Sequence, residues 1–164
     1  MSVANAVKLL NDSIIRYRGE PVGTSAACDP NPVAANYTEC FVRDFVPSAL
    51  VFLMRGETAI VRNFLTTVMQ LRGQQQVLEG HSRSRGLMPA SFKVVTGDGE
   101  ERLEADFGDR AIGRVIPVDS AMWWMLLLRT YVVATGDWSY VRTEAVQTCM
   151  REILDLYLRE RFES

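Results

Sequence analysis

One apolar helix constrains this chain more than any other feature of its sequence. Residues 121–135, AMWWMLLLRTYVVAT, are apolar around most of the helical circumference, and Gly136 follows as a natural stop. Asp119 and Ser120 precede this segment as N-cap candidates. A helix with so little polar surface must be buried on several sides. Other elements must therefore cover it.

Charge and composition exclude several classes of partner. Eighteen Lys and Arg against twenty Asp and Glu give a net charge of −2, which favours neither nucleic acid nor an anionic membrane surface. The apolar helix is interrupted at Arg129 and is shorter than the roughly 20 residues of a bilayer span. The amino terminus lacks the basic and apolar regions of a signal peptide. We expect no membrane partner and no nucleic-acid partner.

The cysteines point to a reducing compartment. Cys28, Cys40 and Cys149 are odd in number, widely spaced and without a CxxC pair. This pattern predicts free thiols and a cytoplasmic location.

The other helices are predicted to be amphipathic, with their apolar residues on one side. Apolar residues recur at helical spacing near residues 3–18, 57–72 and 139–160, and a further helix is predicted from around Asp44 to Gly56. Residues 20–40 read as a long loop because prolines and glycines replace any periodicity. One apolar helix among one-sided helices suggests an inner and an outer layer built from helical hairpins.

Residues 73–116 form the irregular part of the sequence. Glycines occur there too often for a long helix, and two short strand-like runs, 92–95 and 101–103, flank Thr96-Gly97-Asp98-Gly99. A glycine-rich link between such runs predicts a small β-hairpin. The expected fold class is therefore all-α, with about five helices and this one hairpin.

The first candidate site is the adjacent pair Arg43 and Asp44, with large apolar residues on both sides in FVRDFVP. In one interpretation Asp44 caps the following helix and Arg43 points to water. In the other, both charges line a cavity, where a guanidinium and a carboxylate together hold neighbouring sugar hydroxyls. The sequence leaves both interpretations open.

The second candidate site is the start of the apolar helix. Asp119 opens it, and Trp123 follows one turn later. Tryptophan pairs such as Trp123 and Trp124 usually belong to a core. A carboxylate beside an indole also suits the hydrogen bonding and stacking that a pyranose ring needs, and the spacing permits either role.

Two further matches do not support a catalytic function. The triplet Asp106-Phe107-Gly108 matches a kinase motif, but no glycine-rich nucleotide loop or catalytic loop accompanies it. His81 is the only histidine and lies in a polar stretch without a neighbouring nucleophile. No metal-binding or phosphate-binding motif occurs, so we expect no metal and no cofactor.

Several segments together resemble the alkaline/neutral invertases, glycoside hydrolase family 100, which split sucrose into glucose and fructose. They are YRGEPVGTSAACDPNP, NYTECFVRDFVPSALVFLMRGE, GLMPASFKV, EADFGDRAIGRVIPVDSAMWW and LLLRTYVVATGDWSYV, in the order of that family. The resemblance covers the whole chain. It implies an (α/α)6 barrel, of the six-hairpin glycosidase type, of which residues 1–164 form an incomplete amino-terminal part.

The resemblance also implies a reaction and a site. The family is expected to hydrolyse sucrose with inversion, using one carboxylic acid and one carboxylate base and no cofactor. The family segments that hold the acid and the base are not present, so no catalytic residue is assigned to this chain. By similarity to glucoamylase-like barrels, Arg43 and Asp44 are predicted to bind the glucosyl unit, with Asp119 and Trp123 beside them. An acid/base pair formed by Asp44 and Asp119 is the alternative.

Two hypotheses follow from the end of the chain directly after a long helix. In the first, these residues are a fragment of a sucrose-cleaving enzyme and are inactive alone. In the second, they are a truncated, non-catalytic paralogue that binds sugar or a full-length partner. An open part of a layered barrel exposes apolar surface, so we expect the isolated chain to be oligomeric or partly molten.

Overall fold

The computed structural model describes residues 2–27, 37–73, 77–78, 81–82, 85–110 and 117–159. These residues form six helices and seven strands. The helices are α1 (Val3–Asp12), α2 (Val42–Met54), α3 (Thr58–Leu71), α4 (Ser120–Thr135), α5 (Trp138–Val141) and α6 (Glu144–Arg159). The strands are β1 (Ile14–Tyr17), β2 (Glu20–Thr24), β3 (Cys40–Phe41), β4 (Val77–Leu78), β5 (His81–Ser82), β6 (Ser91–Gly97) and β7 (Glu100–Asp106).

The prediction of an all-α chain, an incomplete (α/α)6 barrel, is wrong, because antiparallel strands accompany the helices. The first helix ends at Asp12, and β1 pairs with β2 where a helix and a loop were expected. Arg18 and Gly19 both have left-handed backbone angles, φ 52° and 82°, as a two-residue hairpin turn requires. Ile14 and Ile15, which are β-branched, favour the strand.

The hairpin predicted in the irregular part of the sequence is confirmed and is longer than expected. β6 and β7 pair in register from Ser91 with Asp106 to Gly97 with Glu100. Asp98 and Gly99, with φ 51° and 80°, form the turn. β3 joins the free edge of β6 and passes directly into α2, so the sheet fixes where α2 begins. Of the predicted 20–40 loop, residues 28–36 lie outside the described residues.

The core lies between α2, α3 and α4. The rings of Phe45 and Phe64 pack with their centroids 4.2 Å apart, and both residues are buried. Trp124 is fully buried, and its Nε1 donates to the Leu65 carbonyl oxygen at 3.0 Å. This hydrogen bond satisfies the indole inside an apolar environment, so Trp124 is a core residue.

α4 is covered on one face only within the described part of the chain. Trp124, Leu128 and Tyr131 are buried, whereas Leu126 and Val133 are 54% and 67% exposed. The expectation that this helix is buried on several sides is therefore not met by these residues. No helix in the described ranges is long and apolar enough to cross a membrane.

A carboxylate joins the helices at the far end of α4. Asp137 is the N-cap of α5, and its Oδ1 accepts from the Tyr140 backbone N–H at 3.1 Å. Its Oδ2 accepts from the Tyr131 hydroxyl at 3.0 Å and lies 3.5 Å from Arg62 Nε on α3. The predicted helix over 139–160 is accordingly divided into α5 and α6. Asp137 thereby connects α3, α4 and α5.

Replacing Asp137 with asparagine is expected to lower the melting temperature at neutral pH, and the loss should shrink in acid. Hydrogen bonds from Ser139 and Tyr131 hold the pKa of Asp137 below its ordinary value of 3.8. A group with a lowered pKa stabilises the fold above that ordinary value, and the contribution is lost as the pH falls through the folded-state pKa. Circular dichroism melts of both proteins, from neutral pH to below 3.8, measure the difference. Asp98→Asn, in an exposed turn, is the control, and a pH-independent loss for Asp137→Asn would contradict this role.

Candidate functional site

The first turn of α2 carries Arg43 and Asp44. The helix begins at Val42, and its N-cap is Phe41, which makes no side-chain cap hydrogen bond. Asp44 is therefore not the cap that one interpretation of the sequence required. It lies in the first turn of the helix, where the helix dipole favours a negative charge.

The start of α4 supplies the other half of the site. Asp119 holds the N-cap position, as predicted, but its side chain makes no cap hydrogen bond. Its Oδ2 instead accepts from Trp123 Nε1 at 3.3 Å. The carboxylate is thus turned away from the backbone of its own helix and towards the indole. Residues 111–116, which precede this region, lie outside the described residues.

Arg43 joins the two halves. Its Nη1 donates to Asp119 Oδ2 at 3.2 Å, across 76 residues of sequence, and its Nε lies 3.7 Å from Asp44 Oδ1. All four residues predicted from the sequence therefore form one contiguous set, which we call the Arg43 group: Arg43, Asp44, Asp119 and Trp123. Each of its three charged side chains is between 45% and 62% exposed.

The Arg43 group has the chemistry of a polyol-binding surface. Two carboxylates offer hydrogen-bond acceptors, the guanidinium offers several donors in a fixed plane, and an indole lies beside them. Ion pairs this exposed contribute little to stability, typically about 0–1 kcal/mol. The arrangement therefore contributes little to folding, and its polar groups are open to a ligand.

Tyr157 on α6 is a neighbour that the sequence did not reveal. Its hydroxyl donates to the carbonyl oxygen of Val118, next to Asp119. Partial burial and the nearby Asp119 carboxylate both raise the pKa of Tyr157. The available signal was its position one turn after the buried Ile153, on the inward side of α6. Tyr157 holds α6 against the start of α4.

Two of the three cysteines are described by the structure, and neither belongs to the Arg43 group. Cys40 and Cys149 are buried free thiols, as predicted, and burial raises the pKa of each to about 12, which makes them poor nucleophiles. Cys28 and the side chain of His81 lie outside the described residues. Within the described ranges, no group of three or more potential metal ligands occurs.

A cavity of about 350 Å³ lies at the opposite end of α2. Its walls include Ile14 of β1, Pro21 of β2 and Thr58 at the start of α3. None of the Arg43 group lines it. The open Arg43 group, and not this cavity, is where the predicted polar residues meet.

Comparison with known proteins places these residues in context. The profile of the family described as alkaline and neutral invertase matches residues 6–164. The chain is 48% identical to alkaline/neutral invertase E, chloroplastic, of Arabidopsis thaliana over 94% of the chain and 26% of that relative. It is 47% identical to cytosolic invertase 1 of Oryza sativa subsp. japonica over 99% of the chain and 29% of that relative.

A third relative shows the same proportions. Neutral/alkaline invertase 1, mitochondrial, of Oryza sativa subsp. japonica is 47% identical over 96% of the chain and 27% of the relative. The chain thus spans less than a third of the length of each of these relatives. Their names assign them to three compartments: the chloroplast, the cytosol and the mitochondrion.

Proposed function

The chain belongs to the alkaline and neutral invertase family, and on this premise we propose that it supplies part of the sugar-binding wall of a cytosolic enzyme that hydrolyses sucrose with inversion. The observation that carries the proposal is the Arg43 bridge. One guanidinium contacts a carboxylate from α2 and a carboxylate from α4, and the second carboxylate also accepts from an indole.

Each member of the Arg43 group has a distinct role in this proposal. Asp44 and Asp119 accept hydrogen bonds from adjacent hydroxyls of the glucosyl ring, and Arg43 donates to the ring hydroxyl oxygens between them. Trp123 offers the face of its indole to the apolar face of the sugar. Arg43 also fixes the two carboxylates relative to each other, so that they are ordered before sugar arrives.

The group is better suited to binding than to acid catalysis. A general acid must deliver a proton to the glycosidic oxygen. Asp119 already accepts from Arg43 and Trp123, and Asp44 also faces the guanidinium. Both carboxylates thus act as acceptors in this arrangement. We therefore propose that the catalytic acid and base are not among these four residues.

Sucrose hydrolysis tests the proposal directly. The chain is produced alone and together with any sequence that its gene encodes beyond Ser164, and glucose release is measured near neutral pH. We expect glucose only from the longer protein, and proton NMR in the first minutes should show β-glucose, the inverted anomer of the α-glucosyl unit of sucrose. Trp123→Leu should lower sucrose turnover about tenfold, taking the scale of one aromatic contact. Trp138→Leu, which replaces an exposed tryptophan on α5, should leave turnover unchanged. Absence of sucrose hydrolysis by both proteins would refute the proposal.

A further inference from the structure

A polar cluster surrounds the buried carboxylate of Glu39, which precedes the helix that carries Arg43, and the proposed sugar contacts do not include this cluster. Glu39 is 3% exposed, and its Oε2 accepts from the Ser91 hydroxyl at 2.6 Å. Arg110 Nη2 lies 3.2 Å from both carboxylate oxygens of Glu39. Asp106, also 3% exposed, accepts from the backbone N–H groups of Gly108 and Arg110. We call Glu39, Ser91, Asp106 and Arg110 the β3 anchor.

The β3 anchor is connected to Arg43 by strand β3 and the first residues of α2. Glu39 immediately precedes β3, which pairs with β6 through Cys40 with Phe92 and Phe41 with Ser91. Phe41 is the N-cap of α2, and Arg43 is the second residue of that helix. The Glu39 carbonyl oxygen also accepts from the Ala26 backbone N–H at 3.1 Å. Both the side chain and the backbone of Glu39 are therefore fixed just before the helix that presents Arg43.

Stability alone does not explain this cluster. The Glu39 carboxylate is buried and loses its hydration, whereas the Arg110 side chain is 38% exposed, so the ion pair between them offsets only part of the cost of burying Glu39. Asp106 adds a further cost, since its Oδ2 is buried and has no hydrogen-bond partner among the described residues. An arrangement that costs free energy and determines the start of α2 is typical of groups that specify geometry.

We propose that Glu39, held by Arg110 and Ser91, is a positioning residue for Arg43: it sets the start of α2 so that the guanidinium reaches Asp119. Asp106 accepts from the Arg110 backbone and fixes it. Arg110 and Ser91 in turn fix the Glu39 carboxylate. Because β3 links Glu39 to α2, the position of Glu39 determines the position of Arg43. The inference rests on the proposed function for its catalytic consequence, but the position of Arg43 can be measured without any sugar.

The first test is the NMR signal of the Arg43 Nε–H group, identified by its loss in Arg43→Lys. We expect Glu39→Gln to shift or broaden this signal, because the neutral amide holds Arg110 less firmly and β3 becomes less fixed. The matched control is Glu152→Gln, which breaks a partly buried ion pair of 2.6 Å with Arg72, between α3 and α6. If the Arg43 signal is the same in Glu39→Gln as in the parent, the inference is overturned, regardless of the rate of sucrose hydrolysis.

The second test is a double-mutant cycle on sucrose hydrolysis, using the chain with any sequence that its gene encodes beyond Ser164. Glu39→Gln should lower kcat/KM by about tenfold to a hundredfold, the effect of a misplaced binding group. In an Arg43→Ala background the same change should have almost no further effect, because Glu39 acts through Arg43. Equal losses in both backgrounds would refute the positioning role. A shifted Arg43 signal in a protein that does not hydrolyse sucrose would instead refute the proposed function and leave the positioning of Arg43 in place.

Discussion

Replacing Gly86 with alanine is expected to lower the free energy of unfolding by about 3 kcal/mol or more, a large part of the protein's stability. A Cβ at this position would lie 2.5 Å from the Glu152 carbonyl carbon and 2.8 Å from the Ile153 backbone nitrogen of α6. Backbone atoms cannot move aside as a flexible side chain can. Gly86 also has φ +85°, a conformation that alanine adopts only with strain. The melting temperature should fall by roughly 10 °C for a chain of this size.

The control for this prediction is Gly136→Ala. Gly136 also has a positive φ, +71°, but a Cβ there would meet nothing within 4 Å. In that variant the free energy of unfolding should fall only by the strain of the left-handed backbone, about 1 kcal/mol. Thermal melts of the two variants separate close packing from backbone strain. Similar losses for both would show that α6 does not lie against residue 86 as described.

The two predicted helices that carry the site could be recognised from local signals, and the strands beside them only in part. Asp98-Gly99 is a strong hairpin signal, because both residues tolerate left-handed angles. Arg18-Gly19 forms the same kind of turn, but arginine rarely adopts that conformation. Ile14 fits the apolar face of a helix as well as it fits a strand, and pairing with Thr24 decided between them.

The members of the Arg43 group could be predicted from residue types, but their contacts could not. Arg43 and Asp119 are 76 residues apart, and only the packing of α2 on α4 brings them together. Glu39 was missed for a related reason. A glutamate in a polar stretch is typical of a solvated position, and its burial follows from the pairing of β3 with the predicted hairpin, which no local pattern encodes.

Replacing Arg43 with alanine should reduce kcat/KM for sucrose by about a hundredfold, measured on the chain with any sequence that its gene encodes beyond Ser164. The guanidinium is the only group that contacts both Asp44 and Asp119 among the described residues. Its loss removes charge-assisted hydrogen bonds to the sugar, each worth about 1.5–3 kcal/mol. It also leaves the Asp44 and Asp119 carboxylates without the cation that contacts both of them. Arg43→Lys should recover only part of the activity, because an ammonium cannot reach both partners with a planar fork.

Arg43→Ala should barely change the melting temperature. A loss of activity without a loss of stability distinguishes a sugar-binding role from a structural one. The Arg43 side chain is 62% exposed, so its ion pairs contribute little to folding. Arg55→Ala is the matched control, because Arg55 follows the carboxyl end of the same helix and pairs with Glu57 at 2.5 Å. It should leave both kcat/KM and the melting temperature nearly unchanged. If Arg43→Ala kept parental kinetics, the bridge would be a surface ion pair, and the sugar-binding wall would have to lie elsewhere on the chain.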